Sequence, residues 1–416
     1  MIPTNEQPYP LPDGWQWVTM KDVATLFTGN SINKKIKKEK YLGKADGLIY
    51  VATKDIGFDN QIDYATNIRI PASDNFKVAP TNTPLLCIEG GSAGRKLGFT
   101  NQPVCFVNKL CAFVTNKINP KLIYYFLRTQ DFAEQFTKMK HGLIGGVSIK
   151  NLTSMKFPLP PIDEQQRIVS LLDELFAKLD KAKTLAQAVV DGSELRRTAI
   201  LHKAFIGELS KLWRNEHGTT FDSWQKKSLS ELLLPMKTKR PTGKIFRYID
   251  IDSIDNKRHA VREPKIIETA KAPSRASRAI ESGNVLFSMV RPYLKNVALI
   301  DERLSDCIAS TGFFVCRCAE KILSEFLYYF LCFDETINYL TQFMKGDNSP
   351  SIRQNEFLDT PIKLPPLDEQ KEIVRLLDDL LGREKRTKEI AGKILERVEL
   401  LKKSILAKVF RGKIIC

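Results

Sequence analysis

Long apolar runs are missing from this 416-residue sequence. No stretch approaches the ~20 consecutive apolar residues of a membrane span, so no membrane partner is expected. Met1 to Pro12 is polar and proline-rich, without the apolar centre of a secretory signal, and the expectation is a cytoplasmic protein. Histidine is scarce: His141, His202, His217 and His259 stand far apart. The eight cysteines are Cys87, Cys105, Cys111, Cys307, Cys316, Cys318, Cys332 and Cys416. They form no C-x-x-C pair and no paired histidine spacing, which argues against a bound metal. Cys316 and Cys318 alternate about Arg317 as in a strand, and most of the others read as small apolar core residues.

Enzyme signatures are equally thin. A methyltransferase would carry Asn/Asp-Pro-Pro-Tyr/Phe, but the Pro-Pro pairs here precede Ile162 and Leu367. Gly90 to Lys96 has the wrong spacing for a phosphate loop, and Leu97 follows its lysine. Asp252 or Asp255 with Glu263-Pro264-Lys265 imitates a metal-dependent nuclease cluster, but the proline interrupts the strand that would align it. A single-chain DNA enzyme such as a divergent nuclease, and a coiled-coil scaffold that never touches DNA, are the alternative readings.

Present instead is a surplus of base, 64 Lys+Arg against 48 Asp+Glu, net +16. That balance favours a polyanionic partner, nucleic acid before membrane. Present also is a duplication. Pro160-Pro161-Ile162-Asp163-Glu164-Gln165 returns 205 residues later as Pro365-Pro366-Leu367-Asp368-Glu369-Gln370. The same offset carries Ile168-Val169 to Ile373-Val374 and Phe205-x-Gly207 to Phe410-x-Gly412. About fifty residues align without a gap, as a rigid element does and a loop does not. Ile168, Leu172, Leu175, Leu179, Ala182, Ala186, Val189 and Ser193 follow a 4-3 spacing that continues to Lys203, and Ile373 to Lys408 repeats it. That is a coiled-coil seam. Gly192 faces Arg397 in the alignment and Gly382 faces Ala177, so both helices are expected to run unbroken. About 45 residues at ~1.5 Å each make nearly 70 Å of helix. Such a helix needs a partner for its stripe, most simply the other one, antiparallel.

The longer segments correspond more weakly. Gly14-Trp15 echoes Ser223-Trp224, Tyr50-Val51 echoes Tyr248-Ile249, and Tyr124-Tyr125-Phe126-Leu127 echoes Tyr328-Tyr329-Phe330-Leu331. Short β-type runs mix with amphipathic helices near 120–137 and 322–343. The expected fold class is α+β: two similar α/β domains separated by two long antiparallel coiled-coil helices, with pseudo-two-fold symmetry. The boundaries are 1–158, 159–208 (helix), 209–363 and 364–416 (helix).

Two like scaffolds with diverging loops suit two half-sites on double-stranded DNA, with the helices fixing the spacing. The loop residues suited to phosphates or base edges are Ser31, Asn33, Lys34, Lys35, Thr53, Lys54, Gly91, Ser92, Arg95 and Lys96 in the first segment. In the second they are Lys237, Lys239, Arg240, Ser253, Arg275, Arg278, Arg291, Tyr293 and Lys295. Lys34 to Lys40 is expected to be a polar loop.

Leu159-Pro160-Pro161-Ile162-Asp163-Glu164-Gln165-Gln166-Arg167-Ile168-Val169, repeated from Leu364, resembles the conserved helices of Type I restriction-modification specificity subunits, and the tandem layout matches along essentially the whole chain. The resemblance implies a defence protein without a catalytic site, reading a bipartite site with a nonspecific spacer. It implies two methylation subunits and two restriction/translocation subunits as partners. S-adenosylmethionine, ATP and Mg²⁺ would be handled by those partners, with no cofactor in this chain.

Overall fold

The computed structural model describes residues 3–141 and 145–413; Cys416 lies outside them. The chain divides into two compact units, Met1–Gln187 with Lys393–Cys416, and Ala188–Gly392.

In the first unit, strands Thr25–Thr28, Leu110–Val114, Pro84–Cys87 and Leu97–Phe99 form an antiparallel sheet in that spatial order. A second sheet runs Arg69–Ile70, Leu48–Val51, Val104–Phe106, Val78–Ala79, with its central pair parallel. Strand Gln16–Thr19 pairs antiparallel with Lys156–Leu159. The side-chain period of two explains why Pro84–Cys87 is apolar throughout. Leu86 points into one core with Phe113 and Phe126, while Leu85 and Cys87 point into another with Val51 and Phe106.

The second unit repeats this plan. Its antiparallel sheet runs Leu233–Leu234, Phe313–Cys318, Val285–Ser288, Val297–Leu299. The other runs Lys265–Glu268, Ile245–Ile249, Ile308–Ser310, Ala276–Ala279, again with a parallel centre. Gln225–Ser228 pairs with Pro361–Leu364. Val285 and Phe287 face one core and Leu286 the other. The amphipathic stretches are helix pairs rather than single helices: Pro120–Phe126 with Gln130–Lys138, and Ser324–Cys332 with Asp334–Thr341. Thr129 divides the first pair, its hydroxyl accepting the Phe132 amide at 3.1 Å, a capping bond that starts a new helix. Six cysteines are buried and Cys318 half-buried.

Each core takes the start of one long helix and the end of the other. Leu172 and Phe176 join Leu406, Val409 and Phe410 in the first unit. Leu201, Ala204 and Phe205 join Ile373 and Leu377 in the second. The pairing within the first unit is antiparallel: Lys402 meets Asp180, and Lys183 meets Glu399 at 2.6 Å. In the second unit Arg196 grips Glu384 with two bonds of 2.9 and 2.8 Å.

Two expectations about the helices need correction. The second runs unbroken over Leu367–Phe410, but the first is interrupted at Gly192 into Ile162–Asp191 and Ser193–Phe205. Gly192 has φ −79° and ψ −3°, well short of the helical ψ near −42°. The i→i−4 bonds into and out of it persist (Gly192 N to Ala188 O, 3.0 Å; Arg196 N to Gly192 O, 3.1 Å), so the defect is local. The second seam slips near its end. Lys402, Leu406 and Val409 are buried there, while Leu401 is 41% exposed. A straight helix drifts about 20° per heptad against a 3.5-residue repeat, and the last turns serve a globular core.

The repeated motif is a set of clamps. Glu164 accepts the Trp15 indole N–H at 2.9 Å and Glu369 accepts that of Trp224 at 2.9 Å. Gln165 and Gln370 donate to the carbonyls of Pro160 and Pro365 (3.1 and 2.8 Å). About two turns further, Asp173 and Asp378 accept the hydroxyls of Tyr125 and Tyr329, both at 2.5 Å. A buried polar tip must find a partner, and these contacts join helix to domain at the same points twice.

Candidate nucleic-acid interface

In the first unit the predicted residues lie on two turns tied to each other and on a separate lysine-rich stretch. Thr53 and Lys54 occupy a short turn after strand Leu48–Val51. Gly91, Ser92, Arg95 and Lys96 lie on the connection between Pro84–Cys87 and Leu97–Phe99. The Lys96 ammonium donates to the Thr53 carbonyl at 3.1 Å, tying the two, and the Arg95 guanidinium donates to the Gly91 carbonyl. Lys54 points outward with 80% of its side chain exposed, its ammonium in a loose 3.9 Å pair with the Asp55 carboxylate. Between them stands Phe58, 62% exposed. The cations of Arg95 and Lys96 lie 5.4 and 5.1 Å from its ring centre, within cation–π range.

The lysine-rich stretch is not a loop. Asn33 accepts the Lys35 amide at 2.8 Å and caps a short helix, Lys34–Ile36, which continues as a wider turn over Lys37–Tyr41. Ser31, Asn33, Lys34 and Lys35 are exposed on it. Lys37 sits 4.9 Å over the Tyr50 ring, where burial lowers its pKa, Asp55 opposes that shift and Lys54 adds to it. Lys40 is held by Asp74 at 2.8 Å.

In the second unit the predicted residues divide. Arg275 and Arg291 line an open cleft of about 780 Å³ with Asp250, Asp252, Asn256 and Arg262. Arg291 adopts a left-handed φ of 50°, and its guanidinium donates to the Asn348 carbonyl at 2.7 Å. Tyr293, 46% exposed, follows on the same connection. Other members are committed elsewhere. Ser253 is buried, its hydroxyl donating to Asp250 at 2.8 Å. Burial would raise the Asp250 pKa, but bonds from Lys265 and Ser253 outweigh it and hold the carboxyl below its ordinary value. Lys295 is paired with Asp334 and Lys237 with Glu281 at 2.7 Å. Arg278 is half-buried, with its Nε lacking a partner among the described residues. Lys239 and Arg240 are exposed where residues 237–239 run beside Ser277–Ala279.

Phe58, exposed on the first surface, and Asp252, which lines the cleft of the second, were not among the residues that the sequence singled out for DNA. The Gly57-Phe58-Asp59-Asn60 turn signals exposure, and a large aromatic in it was the available clue. The nuclease-like grouping is otherwise engaged: Asp255 accepts the amides of Lys257 and Arg258 at 3.0 and 3.1 Å, and Lys265 is bound to Asp250.

Each unit thus carries one exposed, partly cationic surface on a common scaffold, and comparison with known proteins matches the same division. The family described as Type I restriction modification DNA specificity domain matches twice, over residues 12–189 and 222–399. The StySPI specificity subunit of Salmonella potsdam is 26% identical over 97% of this chain and 90% of its own length. The EcoKI specificity subunit of Escherichia coli K12 is 24% identical with the same coverage. Among solved structures, a chain from a study of complex assembly and conformational transition in the type I R-M system superposes with a TM-score of 0.70. It is 19% identical and covers 98% of this chain and 100% of that one. The HsdS subunit from Thermoanaerobacter tengcongensis gives 0.66 at 19% identity, covering 99% and 100%. With two copies of the domain spanning most of its length and the repeated clamps that join each to a helix, this chain belongs to the family of Type I restriction-modification DNA specificity subunits.

Proposed function

We propose that each unit of this specificity subunit reads one half of a split DNA site, and that the two long helices set the spacer and dock two methylation subunits. The observation that carries this reading is a scaffold held constant by buried clamps while its exposed residues diverge. Phosphate contacts from Lys34, Lys35, Lys54, Lys239 and Arg240 supply affinity and register; they carry no sequence information. Base discrimination falls to the centre of each surface. In the first unit Phe58 supplies an apolar face suited to a thymine methyl, and Arg95 a donor fork. In the second, Arg275 and Arg291 suit guanine O6 and N7, and Asp252 suits the cytosine amino group.

Catalysis then resides in the partners. The methylation subunits bind S-adenosylmethionine and act on an adenine turned out of the duplex, and two restriction/translocation subunits use ATP and Mg²⁺. The chain works in the cytoplasm, where the chromosome and those subunits are.

The test is to map methylated positions in genomic DNA from cells carrying the chain with its partner subunits. The expected result is two short constant blocks separated by an unconstrained spacer. A continuous motif overturns the proposal, and so does methyl transfer or cleavage by the purified chain alone given DNA, S-adenosylmethionine, ATP and Mg²⁺.

A further inference from the structure

The two units share a groove but not what fills it. In the first unit residues 6–9 occupy it. The Trp17 indole N–H donates to the Tyr9 carbonyl at 3.0 Å, and the two rings meet edge to face at 5.0 Å. The Tyr9 hydroxyl donates to the Phe410 carbonyl at 3.3 Å, and the Arg411 guanidinium lies 5.1 Å over the Tyr9 ring. The Lys156 ammonium holds the Glu6 carbonyl and lies 4.0 Å from its carboxylate.

The duplication fixes the corresponding positions in the second unit. Strand register puts Lys226 where Trp17 stands, Lys363 where Pro158 stands and Pro361 where Lys156 stands. The helix repeat puts Phe205 and Ile206 at Phe410 and Arg411, and the shorter helices put Glu335 at Asp131. All six line one cavity of about 490 Å³, with Phe330 and Phe333 beneath. Phe221 takes the place of Pro12: each lies against the glycine that follows its helix, Gly207 or Gly412. Beyond Phe221 the second unit has a helix, Lys211–Glu216, instead of an arm that crosses the groove. Tyr9 therefore has no counterpart, and the cavity is the space such a side chain fills.

We propose that this groove in the second unit docks a short peptide arm of a partner chain. An aromatic side chain enters against Phe205 and Phe333, and a carboxylate beside it meets Lys226 and Lys363. The first unit supplies the pattern, since Glu6, which ends the short 3-10 turn Thr4–Glu6, and Tyr9 stand three residues apart on one arm. The substitution of Trp17 and Pro158 by lysines moves the cationic contact to the groove rim. Both lysines are exposed; Lys363 lies 5.1 Å over the Phe221 ring, and Glu335, the carboxylate in the same lining, has His202 at 3.3 Å, so the two ammonium groups are left to meet an acidic segment. The cavity volume falls within the range of about 300–1,000 Å³ common to ligand pockets.

The experiment uses the full chain and a fluorescent peptide of its own residues 3–11 as probe. Saturable binding is expected, weakened at least about tenfold when tyrosine in the peptide becomes alanine, as for a buried aromatic anchor. The double variant K226E/K363E should weaken it similarly, while its circular dichroism and thermal unfolding match the parent. No saturable binding overturns the proposal. Binding undiminished in K226E/K363E also overturns it, because the peptide has then entered the first unit's groove. A concentration-dependent dimer that these lysine changes abolish assigns the groove to a second copy's arm and overturns the assignment to a different chain. None of these readouts involves DNA, so a failure here is distinct from a failure of the half-site reading.

Discussion

The two units are built alike inside and differ where they face solvent. At the centre of the first surface an aromatic ring, Phe58, stands between two cations. At the centre of the second, three arginines and two aspartates share a cleft. The buried contacts change little: Trp15 and Trp224 meet Glu164 and Glu369, and Tyr125 and Tyr329 meet Asp173 and Asp378. A core tolerates few changes of volume or polarity, whereas an exposed loop is free to vary. Duplication followed by drift therefore leaves the frame legible and makes the reading surfaces individual.

The strongest way to break the comparison is at the tryptophan–glutamate clamp, which is fully buried in one unit only. Glu369 is fully buried and accepts from Trp224, from Ser210 at 2.7 Å and from Arg214 at 2.5 Å. Glu164 has the tryptophan contact and is only half-buried. Replacing Glu369 with alanine strands a buried guanidinium, a change costing about 3–5 kcal/mol. Glu164→Ala should cost about 1 kcal/mol, the net worth of one hydrogen bond. Hydrogen exchange resolved by segment checks this: Glu369→Ala should raise exchange in residues 210–232, and Glu164→Ala should leave the first unit close to the parent. Equal effects would mean that the two clamps are energetically the same.

A pH difference between the units comes next. His259 is buried at a left-handed φ of 50°, and burial, with help from Arg197, lowers its pKa to about 4. The corresponding turn of the first unit has Asn60, also at positive φ. An unfolded histidine titrates near 6.5, so below that pH the unfolded chain binds a proton that the native state refuses. The contribution is fully present above pH 6.5 and is lost as pH falls toward 4, by up to about 3 kcal/mol. Denaturant titrations between pH 7 and 5 should show the loss, and His259→Asn should remove it. An unchanged slope in His259→Asn would place its origin elsewhere.

The reading surfaces sharpen the comparison at the level of DNA. Arg275→Ala or Arg291→Ala should relax one half of the methylated motif by about 1–3 kcal/mol, the value of a good base contact, and leave the other half intact. Phe58→Ala should relax the opposite half by less, since an apolar contact to a thymine methyl lacks the paired bonds of an arginine fork. Lys54→Ala should weaken binding evenly and reduce the salt slope by about 0.9, one phosphate contact. Methylome mapping of each variant separates these outcomes. Loss of both halves from one substitution would end the one-unit, one-half assignment.

How much of this was legible in the sequence follows from what each feature depends on. The helices and their antiparallel pairing were readable because the repeat is ungapped and the 4-3 spacing is written along each copy, whereas the break at Gly192 and the slip of the second seam depend on packing. The two-domain scaffold was readable as an echo, through pairs such as Tyr125 and Tyr329. The clamps were not, because Trp15 and Glu164 are 149 positions apart and only folding brings them together. The candidate interface was readable by residue type and not by state. Lys295 and Lys237 look like phosphate ligands until Asp334 and Glu281 are found beside them. Phe58 looks like a core residue until its turn is placed at the surface.

The smallest effect concerns the two glycines of the helices. Gly382 lies within an unbroken helix, and a Cβ added there meets only the tip of Arg386 at 3.6 Å. Alanine removes backbone freedom from the unfolded chain without a clash, so Gly382→Ala should stabilise by about 0.5–1 kcal/mol. At Gly192 the added Cβ meets the Ala188 carbonyl at 3.2 Å and the flexible Arg196 head at 2.6 Å. The backbone there has left the helical ψ, so the propensity gain is only partly realised. Moving Arg196 also disturbs its two bonds to Glu384. Gly192→Ala should therefore gain nothing or lose a few tenths of a kcal/mol, within the range of mild surface substitutions. Urea midpoints of the two variants measured side by side decide it. Equal stabilisation at both sites would mean that the interruption at Gly192 is a soft feature of the glycine, with no packing that requires it.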